Sequence, residues 1–107
     1  MKAVKDIDTG SMDVVVRLGE FRDSVQECDE TRASLVAELL QDGDDWYYSI
    51  TNGGETDIYM LGAEDIVAMR KEGAEDWLLE MAQDDAEGMH GDDYDSDDYF
   101  WATPRAR

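Results

Sequence analysis

Between Glu72 and Pro104 the chain carries twelve acidic residues and no lysine or arginine. So one-signed a stretch cannot neutralise itself. Whatever it forms must turn its carboxylates to water and bury only what lies between them. The bias extends to the whole chain, with 28 Asp and Glu against 9 Lys and Arg, a formal charge of −19 and a pI near 4.1. Four of the nine basic residues sit near the ends, at Lys2, Lys5, Arg105 and Arg107. A purely acidic segment stays unfolded. Here 42% of the residues are hydrophobic, with three Trp, five Tyr and two Phe, enough for the modest core of one small domain of 107 residues. The chain reads as a folded polyanion.

That charge argues against a conventional nucleic-acid binder, because phosphates are repelled. A membrane surface is disfavoured likewise, and no apolar run approaches the roughly 18 residues of a span. The start, Met1-Lys2-Ala3-Val4-Lys5-Asp6, lacks the apolar region of a secretory signal. The single cysteine, Cys28, can make neither an internal disulfide nor a multi-cysteine zinc site. A cytoplasmic protein is expected, in the host cytoplasm if the chain is phage-encoded.

Along the chain, Asp8-Thr9-Gly10-Ser11 offers helix caps, and Val14, Leu18, Phe21, Val25 and Cys28 come next at helical spacing. Asp13, Glu20, Asp23, Glu27 and Glu30 project roughly opposite, which predicts an N-terminal amphipathic helix. Gly19 weakens that pattern. Thr31–Gln41 could continue the helical seam, but Ser34–Gln41 fits a strand better, because the residues after it read as turns and strands. Asp42-Gly43-Asp44-Asp45 is turn material, Trp46–Thr51 favours a strand, Asn52-Gly53-Gly54-Glu55 is a strong turn, and Thr56–Leu61 returns. A small antiparallel meander results.

Gly62-Ala63-Glu64-Asp65 opens a helical region with Ile66, Val67, Ala74, Trp77, Leu78 and Met81 on one face and Glu64, Asp65, Glu72, Glu75 and Asp76 on the other. Arg70 in the apolar seam and Gly73 after it predict a break or kink, leaving one long or two short acidic helices open. Asp84–Asp98 holds eight acids, two glycines and His90, and Tyr99-Phe100-Trp101 closes it. The expected fold is therefore α+β: a domain over residues 1–83 and an acidic C-terminal tail over 84–107, anchored by its aromatics on the domain or on a partner.

Catalytic signatures are missing: there is one His, one Cys, no Gly-x-Ser-x-Gly elbow and no phosphate-binding glycine loop. Cys28 lies on the apolar face of the expected helix and reads as a core thiol. Asp93, Asp95 and Asp97 alternate as the first EF-hand ligands do, but Asp98 stands where the loop needs glycine and no glutamate occupies the closing position. No catalytic residue, metal site or cofactor is assigned.

What remains is the arrangement of charge. Carboxylates three or four apart on a helix stand roughly 5–6 Å apart at Cβ, and duplex DNA carries a phosphate per roughly 3.4 Å of each strand. A folded surface so patterned can occupy a basic groove built for a nucleic-acid backbone. The candidate contacts are Glu72, Glu75, Asp76 and Glu80, the cluster Asp92, Asp93, Tyr94, Asp95, Asp97, Asp98 and Tyr99, and then Glu20, Asp23 and Glu27.

In Asp45-Trp46-Tyr47-Tyr48-Ser49-Ile50, the turn at 52–55, Asp57-Ile58-Tyr59-Met60 and Ala74-Glu75-Asp76-Trp77-Leu78, the chain resembles small phage-encoded DNA mimics. Among these it is similar to the anti-CRISPR proteins that occlude DNA binding by type I-F surveillance complexes. It is a likeness of layout and composition over about a third of the chain, and the acidic aromatic stretch after Asp84 departs from it. The resemblance implies an inhibitor acting on a CRISPR effector or restriction enzyme, and no direct contact with nucleic acid. The same charge also suits an immunity protein or antitoxin against a basic nuclease toxin, which an adjacent toxin gene would reveal. A chaperone of basic proteins, working through Asp92–Trp101, is a further reading. A small interaction protein of a high-salt proteome is another, since lysine is scarce (three, against six arginines). A homodimer seam between amphipathic helices is also compatible with the pattern.

Overall fold

Two tight turns organise the middle of the chain. Gly43 (φ 62°) and Gly53 (φ 65°) hold the first central position of two-residue loops closed by Asp42 against Asp45 and Asn52 against Glu55. A side chain at that position would be strained, so glycine sets both hairpins. A computed structural model describes residues 1–22, 33–91 and 98–103 of the chain. It is α+β: β1 (Lys2–Val4), β2 (Asp13–Arg22), β3 (Leu35–Asp42), β4 (Asp45–Asn52), β5 (Glu55–Met60), α1 (Ala63–Glu72), α2 (Ala74–His90) and β6 (Tyr99–Ala102), with a 3-10 turn at Thr9–Ser11. The strands form one antiparallel sheet in the order β1-β5-β4-β3-β2-β6.

Alternation along the strands sorts side chains to two faces. Leu18, Leu35, Ala37, Leu39, Tyr48 and Ile50 pack against Met69 of α1 and Trp77, Leu78, Ala82 and Ala86 of α2. On the other face Met12, Leu40 and Tyr47 form a smaller cluster, covered by Val4 and Ile7 and flanked by Ile58 and Met60. Tyr48 sits at the centre of the main core, fully buried, edge-on to Trp77 at 6.3 Å and stacked on Tyr59 at 6.0 Å.

The helices separate at Gly73, whose φ of 99° no other residue adopts cheaply. Its N–H donates to the Met69 carbonyl (2.9 Å) and its carbonyl accepts from Trp77 N–H (3.0 Å), so one glycine ends α1 and starts α2. The open question of one helix or two is thus resolved as two. At the other end of α1, Asp65 Oδ2 accepts from Gly62 N–H (2.9 Å) and holds the first turn.

The expected N-terminal helix is corrected: its described part, Asp13–Arg22, is a strand between β3 and β6. The spacing of Val14, Leu18 and Phe21 imitates a helical face because the ladder is irregular between Val14 and Val16, shifting the alternation by one residue. Beyond that irregularity Leu18 faces the helices, while Phe21, three residues on, faces the other way and stacks on Phe100 at 5.7 Å. Three consecutive valines also favour extended chain. Val25 and Cys28 lie outside the described residues. Farther on, α2 runs through residue 83 to His90, and Tyr99–Ala102, expected within a tail, adds an edge strand to β2. No described helix is long and apolar enough to cross a membrane.

Candidate acidic interface

The outer side of α2 is set by its inner side. Trp77, Leu78, Ala82 and Ala86 are buried, and Asp76, Glu80 and Asp84, one or two residues away from them, turn to solvent. These three are four residues apart, so they form a row along the axis, spanning about 12 Å at 1.5 Å per residue. Glu72, the last residue of α1, joins the row across the Gly73 break. Hydrogen bonding to Glu72 is the largest cause raising the Glu80 carboxyl above its ordinary range, followed by the charge of Glu72, with smaller contributions from Asp84 and Asp76. Glu80 therefore senses the other three carboxylates of the row within one surface. Helix α2 carries six acids and no Lys or Arg, and among the described residues none of the row is held in a salt bridge. The described ion pair between side chains lies elsewhere, where Arg17 clasps Glu38 on the sheet at 2.8 Å.

Of the sequence-derived candidates, Glu72, Asp76 and Glu80 are brought together and exposed. Glu75 is exposed in the first turn of α2, about 100° around the axis from Asp76 and so off the row. Glu20 is corrected: it is fully buried, not on an outward acid stripe. On β2 it stands between Leu35 and Trp101 of the neighbouring strands, and its Oε1 accepts from Ser34 Oγ at 2.7 Å. Asp98 is exposed, and Tyr99 is half-buried in β6 opposite Arg22. Asp23, Glu27, Asp92, Asp93, Tyr94, Asp95 and Asp97 lie outside the described residues. Asp84 was missed as an individual contact, although its spacing of four from Glu80 was legible. Asp85, one position inward, accepts a hydrogen bond from the Tyr48 hydroxyl at 2.7 Å and belongs to the core's border. Among the described residues no group of three or more His, Cys, Asp or Glu is arranged to hold a metal ion.

No family model, curated protein or solved structure matches the chain.

Repulsion within the row has a measurable consequence. A folded-state pKa raised above the unfolded value means the native chain binds the proton more readily, so stability falls as pH rises through that value. Lowering the pH from about 7 to about 5 is therefore expected to raise the denaturation midpoint, as is added salt at neutral pH. The Gly62 N–H holds the Asp65 carboxyl below its ordinary range, and its contribution is lost only at still lower pH. A midpoint that drops between pH 7 and 5 would show that the row carries no net repulsion.

Proposed function

We propose that this chain is a DNA-mimicking inhibitor. Its partner is a nucleic-acid-binding complex with a cationic groove, such as a CRISPR effector or restriction enzyme, and its carboxylates take the place of phosphates there. The observation that carries this reading is the row Glu72, Asp76, Glu80 and Asp84, running from the end of α1 onto α2, unneutralised by any described cation and close enough that one member's proton affinity is raised by its neighbours. Its three members on α2 extend over about 12 Å, the axial length of three to four nucleotides on one strand. Helix α2 is fixed through Trp77, Leu78, Ala82 and Ala86 in the main core, so the carboxylates are presented in place and little ordering entropy is spent on binding. Acids that repel one another at a cost to the free fold have a use where a partner supplies the missing positive charge.

The test is affinity capture of the partner from a host lysate at low salt, with subsequent elution by duplex DNA. DNA is expected to release the captured complex competitively, and binding should weaken steeply between about 0.05 and 0.2 M salt. A partner that holds this chain and duplex DNA at the same time, with undiminished affinity for each, rules the proposal out. Cooperative folding in about 0.1 M salt is the accompanying expectation, and a chain that needs molar salt to fold belongs to the high-salt reading instead.

A further inference from the structure

A second feature lies at the opposite end of the sheet order from β6, on the edge formed by β1 and β5. Strand β1 is short and pairs Lys2 with Met60, Ala3 with Tyr59 and Val4 with Ile58, while β5 continues to Glu55. In an antiparallel ladder, alternate residues direct both backbone groups to one neighbour. The phase is fixed because Leu61 N–H donates to the Trp46 carbonyl (2.9 Å), and because a two-residue loop is closed by Asn52 and Glu55. Glu55, Asp57 and Tyr59 thus bond toward β4, and Thr56, Ile58 and Met60 point outward. Val4 and Lys2 meet Ile58 and Met60. The next partner in register, for Thr56, would be Asp6. Asp6 instead turns off with φ 59°, a left-handed conformation uncommon outside glycine. The N–H and C=O of Thr56 are left facing a cleft.

That cleft has a volume of about 410 Å³ and is half open to solvent. Val4, Ile7 and Ile58 line it from the side of the smaller apolar cluster, and Asp6 and Asp57 contribute two carboxylates against the one ammonium of Lys5. Unpaired strand groups select an extended backbone. The apolar wall takes an aliphatic side chain, and the surplus carboxylate favours a cation. We propose that this notch docks a short extended peptide segment with alternating aliphatic and basic side chains, adding it to β5 in line with β1. The inference does not depend on the acidic row of α2.

The experiment is an amide NMR titration of the full chain with a capped pentapeptide of sequence TVKVT. Saturable shifts are expected at Val4, Thr56 and Asp57. Thr56→Pro removes only an N–H that faces away from β4, so the sheet should persist, while peptide affinity drops about tenfold for the one lost hydrogen bond. Thr56→Ala should bind as the parent does. Replacing the peptide's central lysine by glutamate should weaken binding, and N-methylating the peptide backbone should abolish it. The N-methylated peptide serves as the backbone test if the proline variant fails to fold. Shifts confined to α2, no saturation, or equal affinity of the N-methylated peptide would overturn the proposal.

Discussion

Reversing Glu72, Asp76, Glu80 and Asp84 together to lysine is expected to reduce binding to the cationic partner by about 100-fold or more. One exposed pair contributes about a factor of two to five. Four pairs multiply, and reversal replaces each attraction by a repulsion, which slows encounter as well as loosening the complex. The fold should survive, because all four side chains are exposed and none enters the main core. Lysine and glutamate have similar helix propensity, and aspartate is poorer than either. Neutralisation by Glu72→Gln, Asp76→Asn, Glu80→Gln and Asp84→Asn is the sharper control. It removes the repulsion that raises the Glu80 carboxyl, so this variant is expected to melt higher than the parent while binding less well. Affinity by calorimetry and melting by circular dichroism give the two readings separately. If binding is unaffected by reversal, the α2 row is a solvated surface and the partner is gripped elsewhere. Reversing Arg17 and Glu38, which pair on the sheet at 2.8 Å, should leave binding within about twofold.

Elements closed by local chemistry were legible. The meander was visible because Gly43 and Gly53 supply turn geometry that few residues allow, and because Trp46–Thr51 is strand-favouring over its length. The helices were visible because buried and exposed positions alternate cleanly around α2, and Gly73 marked their junction. Strand β2 was hidden by two effects at once. Its irregularity between Val14 and Val16 moved the alternation out of phase, and burial of Leu18 and Phe21 on opposite faces erased the polar side that identifies a strand. The error carried into the site: on a helix Glu20 projects with Asp13 to solvent, whereas on β2 it points inward between two strands. Strand β6 was obscured by the acidic run before it, since partners such as Glu20 and Phe21 are about eighty residues away and no local pattern reports them. Charge and helical period sufficed for three members of the acidic row. Pairing distant in sequence decided the rest.

Tyr48→Ala is expected to destabilise the fold by about 3–5 kcal/mol, a large share of the 5–15 kcal/mol typical of a small domain. The ring is fully buried between Tyr59 and Trp77, so truncation opens a cavity in the layer that joins the sheet to α2. Tyr48→Phe keeps the ring and deletes the hydroxyl that donates to Asp85 Oδ2 at 2.7 Å. It should cost about 1–2 kcal/mol, because Asp85 is partly exposed and recovers water. The two variants also differ from the parent at high pH. Burial, then the hydrogen bond to Asp85, pushes the Tyr48 hydroxyl far above the ordinary tyrosine range, and burial raises Tyr47 and Tyr59 as well. A raised folded-state pKa gives stability that is complete below the unfolded value near 10 and is lost as pH climbs past it, since only the unfolded chain then ionises freely. The native chain should therefore resist tyrosinate formation at Tyr48 until it unfolds. Absorbance near 295 nm is expected to rise in a step that coincides with loss of near-ultraviolet circular dichroism above about pH 10. In Tyr48→Phe the fall of stability with pH should be shallower by one proton. Smooth titration of all five tyrosines near their ordinary range, with the dichroism intact, would mean that Tyr48 is not locked between the sheet and α2. The acidic row would then lack the rigid support that mimicry requires.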